Sequence, residues 1–375
     1  MFGNMHDVGT PSLDYSSAPR SVKFGRFAVF TWLWAFGVSL GLVMFPSWAI
    51  SPLGWLQALS LLAVLIFPGR VPIFAFFVLM STLRGIEKMP LMANHIFFEL
   101  LLSATMLVTL IVQMIRTRRW SVDGDEWLAG FAPSIRVQLA ILYGFAVLHK
   151  LNIDYFTLSR SCGSRLLVML TDTLYLPEPN DFFRWQSIVG TLVVELAIAG
   201  GLFFARTRKA ALALGIGFHF FLGLLPHEGL PSFSAMLYAM YFLFFGDDML
   251  PPVRTWLIER REQFAWAGRG ASGRLSVIKL AAVVVAAGVL MLVAAGGLTM
   301  LAGTQVDHRP RIIAGIDFGK ALVFLDRFAL VAFAALAVPY IWMFCRALNV
   351  TGWRSATRLR GLLRGSRAAW VFVPI

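Results

Sequence analysis

Ionisable side chains inside or beside long apolar runs are the places where this chain could do chemistry. A charge within a lipid-facing segment costs ~2.5 to 3.5 kcal/mol on insertion scales, so each one calls for a compensating reason. Asn94 and His95 open one apolar run, and Glu99 follows His95 by one helical turn on the same face. His149 and Lys150 close another run. Glu195 sits within Leu192 to Ile198, His219 lies in a later run, and His227 with Glu228 follows it. Each has an unreactive use. Lys150 can lay its stem along lipid and keep its ammonium among the headgroups. Glu195 calls for a buried cation, His219 suits a hydrogen-bonded packing position, and Pro226 to Glu228 suits a polar turn. The reactive uses are a proton relay, which an intramembrane glutamate with histidines resembles in composition, and a metal site from His95, His219 and His227. No HExxH-type or CxxC spacing supports the metal.

The elements that must position these residues follow from composition. The chain has 375 residues, 58% of them hydrophobic and 14% charged, with 33 Phe and 12 Trp. A soluble globular chain has roughly 25% charged residues, and the apolar surface here exceeds what one core can bury. The fold expected is all-α: a polytopic transmembrane helical bundle with no large extramembrane domain. Hydrophobic segments read at 27 to 45, 55 to 67, 71 to 83, 95 to 115, 135 to 150, 187 to 205, 210 to 225, 232 to 245, 277 to 301 and 321 to 345. Several are shorter than the ~17 residues of a perpendicular span, which makes the expectation eight to ten spans.

Net charge is +13. Its placement excludes nucleic acid as the partner, because the arginines fall between hydrophobic blocks and no glycine-rich phosphate loop, zinc knuckle or aromatic RNA-binding motif is present. With the N-terminus inside, the inner face collects most of the basic residues, so both termini are expected to be cytoplasmic. Residues 1–22 read as a disordered cytoplasmic tail ahead of an uncleaved first helix. Residues 23–250 form the main transmembrane unit, 251–276 a cytoplasmic linker with an amphipathic stretch, 277–345 two more helices and 346–375 a basic tail. Cys162 and Cys345 fall on opposite faces, which leaves no disulfide framework.

Tyr143 to Asp154, YGFAVLHKLNID, resembles the segment of vitamin K-dependent γ-carboxylases and their bacterial relatives, the horizontally transferred transmembrane domain, that carries the catalytic lysine. Lys150 takes that place. Asn94-His95 looks like the family's Asn-His at the start of a span, and Trp120 to Asp123 looks like its Trp-Ser-Val-Asp. Glu195, Arg206, Gly217 to His219 and Ser232 to Leu237 are similar to the two spans after the lysine. These patches run in the same order over about residues 20 to 250. The resemblance implies Lys150 as the base that deprotonates a reduced, vitamin K-like quinone. It implies His95 as an aid to the carbanion or carboxylation step, with oxygen and carbon dioxide as co-substrates. Asn94, His149, Glu99, Glu195 and His219 would support them.

The chain departs from that pattern in two ways. The eukaryotic carboxylases have two adjacent lysines where this chain has His149 and Lys150, and they carry a large extramembrane domain after the spans where two more helices and a basic tail are expected here. By length the chain is also similar to bacterial membrane proteins that help to mature a secreted, sporulation-delaying peptide toxin, so a small secreted peptide is a second expected substrate. A proton-coupled transporter or membrane scaffold is the third reading, although no inverted repeat supports it. Three geometric expectations follow. Segments four to seven should enclose one outward-facing cavity. Lys150 and His95 should share it. Glu195 and His219, about twelve residues before and ten after the turn at Arg206 to Lys209, should sit at matching depth within hydrogen-bonding range.

Overall fold

A computed structural model describes residues 25–44, 48–49, 51–89, 94–225, 229–246, 312–313 and 316–350. The chain folds as α1 (Arg26–Met44), α2 (Pro52–Ile66), α3 (Val71–Glu87), α4 (Asn94–Thr117), α5 (Gly124–Lys150), α6 (Cys162–Thr173), α7 (Asp181–Gly201), α8 (Arg208–Gly223) and α9 (Leu230–Phe242). A two-residue hairpin, β1 (Ile312–Ile313) and β2 (Ile316–Asp317), then leads into α10 (Phe318–Val350). The hairpin adds two short strands to the helices of the described residues. Segment 277 to 301, the amphipathic stretch of the linker, His227, Glu228 and most of the basic tail lie outside the described residues.

Local chemistry starts these helices where they start. Proline stands in the first turn of α2, α3 and α9, where its missing N–H costs nothing. The Asp123 carboxylate accepts from the backbone N–H groups of Asp125 (2.9 Å) and Glu126 (3.2 Å) and caps α5. This gives Asp123 a structural task within the Trp120 to Asp123 patch, and it begins α5 eleven residues before the hydrophobic segment read at 135. Between α2 and α3, Gly69 adopts φ +81°, and a Cβ there would come within 2.8 Å of Ala28.

Helices α1 and α9 form the buried axis. Both are apolar on nearly every side and mostly buried, the pattern of a core helix. They approach closely because Gly37 and Gly41, spaced as GxxxG, present no side chain to α9. A Cβ at Gly37 would lie 2.8 Å from the Met236 backbone nitrogen, and Ser232 Oγ donates to the Gly37 carbonyl at 2.9 Å. Around this axis α2 packs on α3, α3 on α4, α4 on α5, α5 on α7 and α7 on α8, and α10 closes against α1, α8 and α9.

The outer surface is inverted relative to a water-soluble bundle. Val108, Ile111, Val112 and Ile115 of α4 and Val189, Val193 and Leu196 of α7 are exposed at helical spacing. Such stripes in water would be an aggregation hazard, whereas against acyl chains they cost nothing. Four helices, α1, α4 (from Ile96), α5 and α7, are long and apolar enough to cross a membrane, and apolar α2 and Ala329–Trp342 of α10 are shorter. At one end of the bundle Arg26 and Arg136 converge on the C-terminus of α9. Arg26 Nη2 donates to the Phe245 carbonyl at 2.9 Å, and Arg136 Nε to the Leu243 carbonyl at 3.0 Å. Cations at those terminal carbonyls complement the helix dipole.

Candidate functional site

Lys150 is the last residue of α5, and its backbone would suit an anchor at the headgroups. Its side chain instead turns inward to both carboxylate oxygens of Glu195 on α7. The two side chains are 17% and 8% exposed, so this ion pair is largely withdrawn from the surface. Taking two charges out of a polar medium costs several kcal/mol per ion, which the pair recovers through mutual attraction and bidentate hydrogen bonding. The expected buried cation for Glu195 is therefore Lys150.

Seven residues earlier on the same face of α5, Tyr143 lies two turns from Lys150. Its hydroxyl bonds His219 Nε2 on α8 at 2.8 Å and the Tyr241 hydroxyl on α9. His219 Nδ1 faces Ser234 Oγ at 3.5 Å. All four residues are buried. A direct Glu195 to His219 bond is not among the hydrogen bonds of the described residues. The two do sit on neighbouring helices, but α5 supplies both partners, Lys150 to one and Tyr143 to the other. Depth arithmetic along α7 and α8 carries no information about which third helix packs against them.

The Lys150 and Glu195 pair forms the polar end of a cavity of about 160 Å³ between α5, α6, α7 and α8. Leu166, Leu167 and Leu170 of α6 face Phe221, Leu222 and Leu225 across it. Helix α6 lies between the hydrophobic segments read at 135 to 150 and 187 to 205, where no segment is read from sequence. Here it is a wall, held to α7 by Ser187 Oγ donating to the Gly163 carbonyl at 2.8 Å and Arg184 Nε to Ser164 Oγ at 2.7 Å. Cys162, its first residue, also lines the cavity, and burial pushes its thiol above the usual range. Tyr155 lines the same wall, and burial raises its hydroxyl to about 12.

A second cavity of about 40 Å³ lies among α1, α2, α3, α4 and α9 and shares no lining residue with the first. Glu99 lines it, with Arg84, Lys88, Gln57, Ser81 and Ser232. Arg84 pairs with Glu87, and Ser51 Oγ donates to Glu87 Oε1 at 2.7 Å. Burial pulls the Lys88 amine below its ordinary range against the attraction of Glu99. Segment four therefore faces this cavity and not the one expected among segments four to seven. Lys150, Glu195 and, through Tyr143, His219 are brought together, whereas Glu99 stands apart. His149 is exposed beside Lys150. Asn94 and His95 open α4, and their side chains lie outside the described residues, as do His227 and His308.

One participant, Tyr241, is not singled out by sequence; Ser234 enters only as part of the Ser232 to Leu237 patch, and Cys162 only as a cysteine without a disulfide partner. Tyr143 carries a signal in its seven-residue spacing from Lys150, but Tyr241 looks like any residue of an apolar helix. Comparison of the chain with family models, with curated proteins and with solved structures gives no match.

Proposed function

We propose that this chain is a membrane-embedded, carboxylase-like enzyme that acts on a quinone, lipid or small peptide, with Lys150 as its general base. In this reading it is an eight- to ten-span protein of the inner membrane with both termini cytoplasmic and its site towards the outer boundary. The observation that carries the reading is the direction of Lys150. A snorkelling anchor extends to the headgroups, whereas this amine turns into a cavity and onto a carboxylate.

An ammonium cannot accept a proton, so the pair has to store one. Moving it from Lys150 Nζ to Glu195 leaves a neutral amine beside a neutral acid. The net charge of the pair stays zero, so a low-dielectric site does not oppose the exchange. The free amine then takes a proton from an acidic hydroxyl or C–H held within ~3 Å of Nζ, and Glu195 holds the stored proton meanwhile. A cavity near ~150 Å³ admits a benzene-sized ring, so the space between Lys150, Glu195 and the leucine walls has the bulk of one six-membered ring of a reduced quinone. When bound, such a group supplies the acidic hydroxyl and the reducing electrons. His95 keeps the part implied by resemblance, assistance to the carbanion or carboxylation step with oxygen and carbon dioxide as co-substrates.

Lys150→Arg tests the base against the anchor. Arginine keeps the charge and the reach but does not release its proton near neutral pH. The variant should insert and melt like the parent and lose incorporation of labelled carbon dioxide, or appearance of a mature secreted peptide, by at least a hundredfold. Parent-level activity in Lys150→Arg removes Lys150 as base. The buried Tyr143, His219 and Ser234 chain favours a second reading, a proton-coupled transporter, and proton flux into vesicles that is abolished by Tyr143→Phe would select it.

A further inference from the structure

We infer that the arginines gathered at the C-terminus of α9 hold the phosphate of an anionic phospholipid whose acyl chain runs along the outside of α7. Arg136 stands fourteen residues, or ~21 Å of helix, before Lys150 on α5, so this site is separate from the cavity at Lys150 and does not depend on what that lysine does.

The charge comes first. Arg26 at the start of α1, Arg136 within α5 and Arg208 at the start of α8 converge from three helices, and all three are half-buried. Each gives part of its guanidinium to a main-chain carbonyl at a helix end: Arg26 to Phe245, Arg136 to Leu243, and Arg208 Nε to Leu202 at 3.0 Å. Capping accounts for those donors but not for the charge. The two helix ends served, of α7 and α9, carry roughly half a negative elementary charge each against three full positive charges, and the N-terminus of α8 adds roughly half a positive charge more. Arg208 and Arg26 both repel Arg136. Among the described residues no carboxylate forms an ion pair with Arg136 or Arg208. In the sequence around these helix ends Asp247 and Asp248 are outnumbered by Arg26, Arg136, Arg206, Arg208 and Lys209. Arg208 keeps both Nη groups and Arg136 keeps Nη1 for a further acceptor, and a planar guanidinium matches two phosphate oxygens at once.

The apolar surroundings favour a lipid over a free ion. Phe203 and Phe204 precede Arg208 in the turn between α7 and α8 and are 43% and 68% exposed. Phe203 meets Phe244 edge-on at 5.9 Å, and the Arg136 guanidinium lies 5.5 Å from the centre of the Phe244 ring, so aromatic and cationic groups form one cluster. An apolar track leads away from it along α7 at helical spacing, through Gly200, Leu196, Val193 and Val189, all exposed. A Cβ built at Gly200 meets no atom within 4 Å, which leaves a notch in the track four residues before Phe204. An acyl chain lying in that notch keeps its glycerol phosphate at the level of the arginines, where aromatic and basic side chains together mark a membrane interface. A free phosphate ion would use none of the track.

The test is native mass spectrometry of the full chain released from mixed micelles that hold equal amounts of dioleoyl phosphatidylglycerol and dioleoyl phosphatidylcholine. The parent should retain phosphatidylglycerol at least fivefold more often than phosphatidylcholine. Arg136→Met and Arg208→Met should each cut that preference at least threefold. Arg160→Met, which removes an exposed arginine paired with Asp154 beyond the other end of α5, should leave it unchanged. Gly200→Trp fills the notch without meeting another residue, so it should melt like the parent and cut retention of phosphatidylglycerol at least threefold. Millimolar inorganic phosphate should not displace the lipid. Equal retention of the two lipids by the parent overturns the inference whatever the variants do. A preference that persists in both arginine variants, each melting like the parent, overturns it as well. Displacement by inorganic phosphate together with an unaffected Gly200→Trp would make this a site for a free anion and overturn the lipid.

Discussion

At the residue scale the Lys150 and Glu195 pair decides how the site behaves, because each side chain is tolerable in the bundle only while the other is present. Removing one partner of a buried pair costs about 3 to 5 kcal/mol, whereas replacing both with apolar residues of similar volume is often neutral or better. Glu195→Leu should therefore lower unfolding stability in detergent by about 3 to 5 kcal/mol, and adding Lys150→Met to it should restore most of the loss. Both variants would be inactive. A double variant as unstable as the single one would show that the two side chains stabilise the fold independently. Function and stability part company here: a pair kept only for stability would be replaceable by leucine and methionine, and a pair kept for proton exchange would not.

At the scale of elements, α1 against α9 is the contact on which the rest is assembled. The GxxxG spacing lets backbone meet backbone, so the Met236 main chain fills the space where a Gly37 side chain would stand. Backbone cannot rotate aside as a side chain can, so Gly37→Leu should cost at least the ~1 to 3 kcal/mol typical of overpacking. Gly144 on α5 is the control, since no atom lies within 4 Å of a Cβ built there. Gly144→Leu should leave the melting temperature unchanged or raise it, glycine being a poor helix former. Equal effects of the two substitutions would mean that the α1 and α9 approach is looser than described. Helix α6 shows the same dependence of element on context: with few apolar residues in an unbroken run, its role as a cavity wall comes from its docking on α7.

For the whole molecule the open variable is sidedness, and two exposed loop residues at opposite ends of α5 report it. Trp120 before α5 is 92% exposed and Ile153 after it is 84% exposed. In a background carrying Cys162→Ser and Cys345→Ser, Ile153→Cys should react with a membrane-impermeant maleimide added to intact cells, and Trp120→Cys should react only after permeabilisation. The reverse pattern would overturn cytoplasmic termini. The arginines that gather at the α9 C-terminus lie on the Trp120 side of the expected topology, in keeping with the preference of basic residues for the inner face.

Membrane character, helix class and most segment positions are legible in this chain because each depends on local chemistry. Hydrophobic runs at 71 to 83 and 95 to 115 lie within α3 and α4 because a backbone without water must bond within its own segment. The polar residues were legible one by one for a similar reason, since a lysine or glutamate in an apolar run is conspicuous by its cost. Partnership was not legible. Lys150 and Glu195 are 45 residues apart, and Tyr143 and Tyr241 are 98 apart. No periodicity within a helix says which face of another it meets. Only the packing of α5 against α7, and of α8 against α9, joined Lys150 to Glu195 and Tyr143 to His219, made α6 a cavity wall, and left Glu99 lining a separate cavity. Those outcomes depend on how all the helices fill space together, a property of the assembled volume that no single segment encodes.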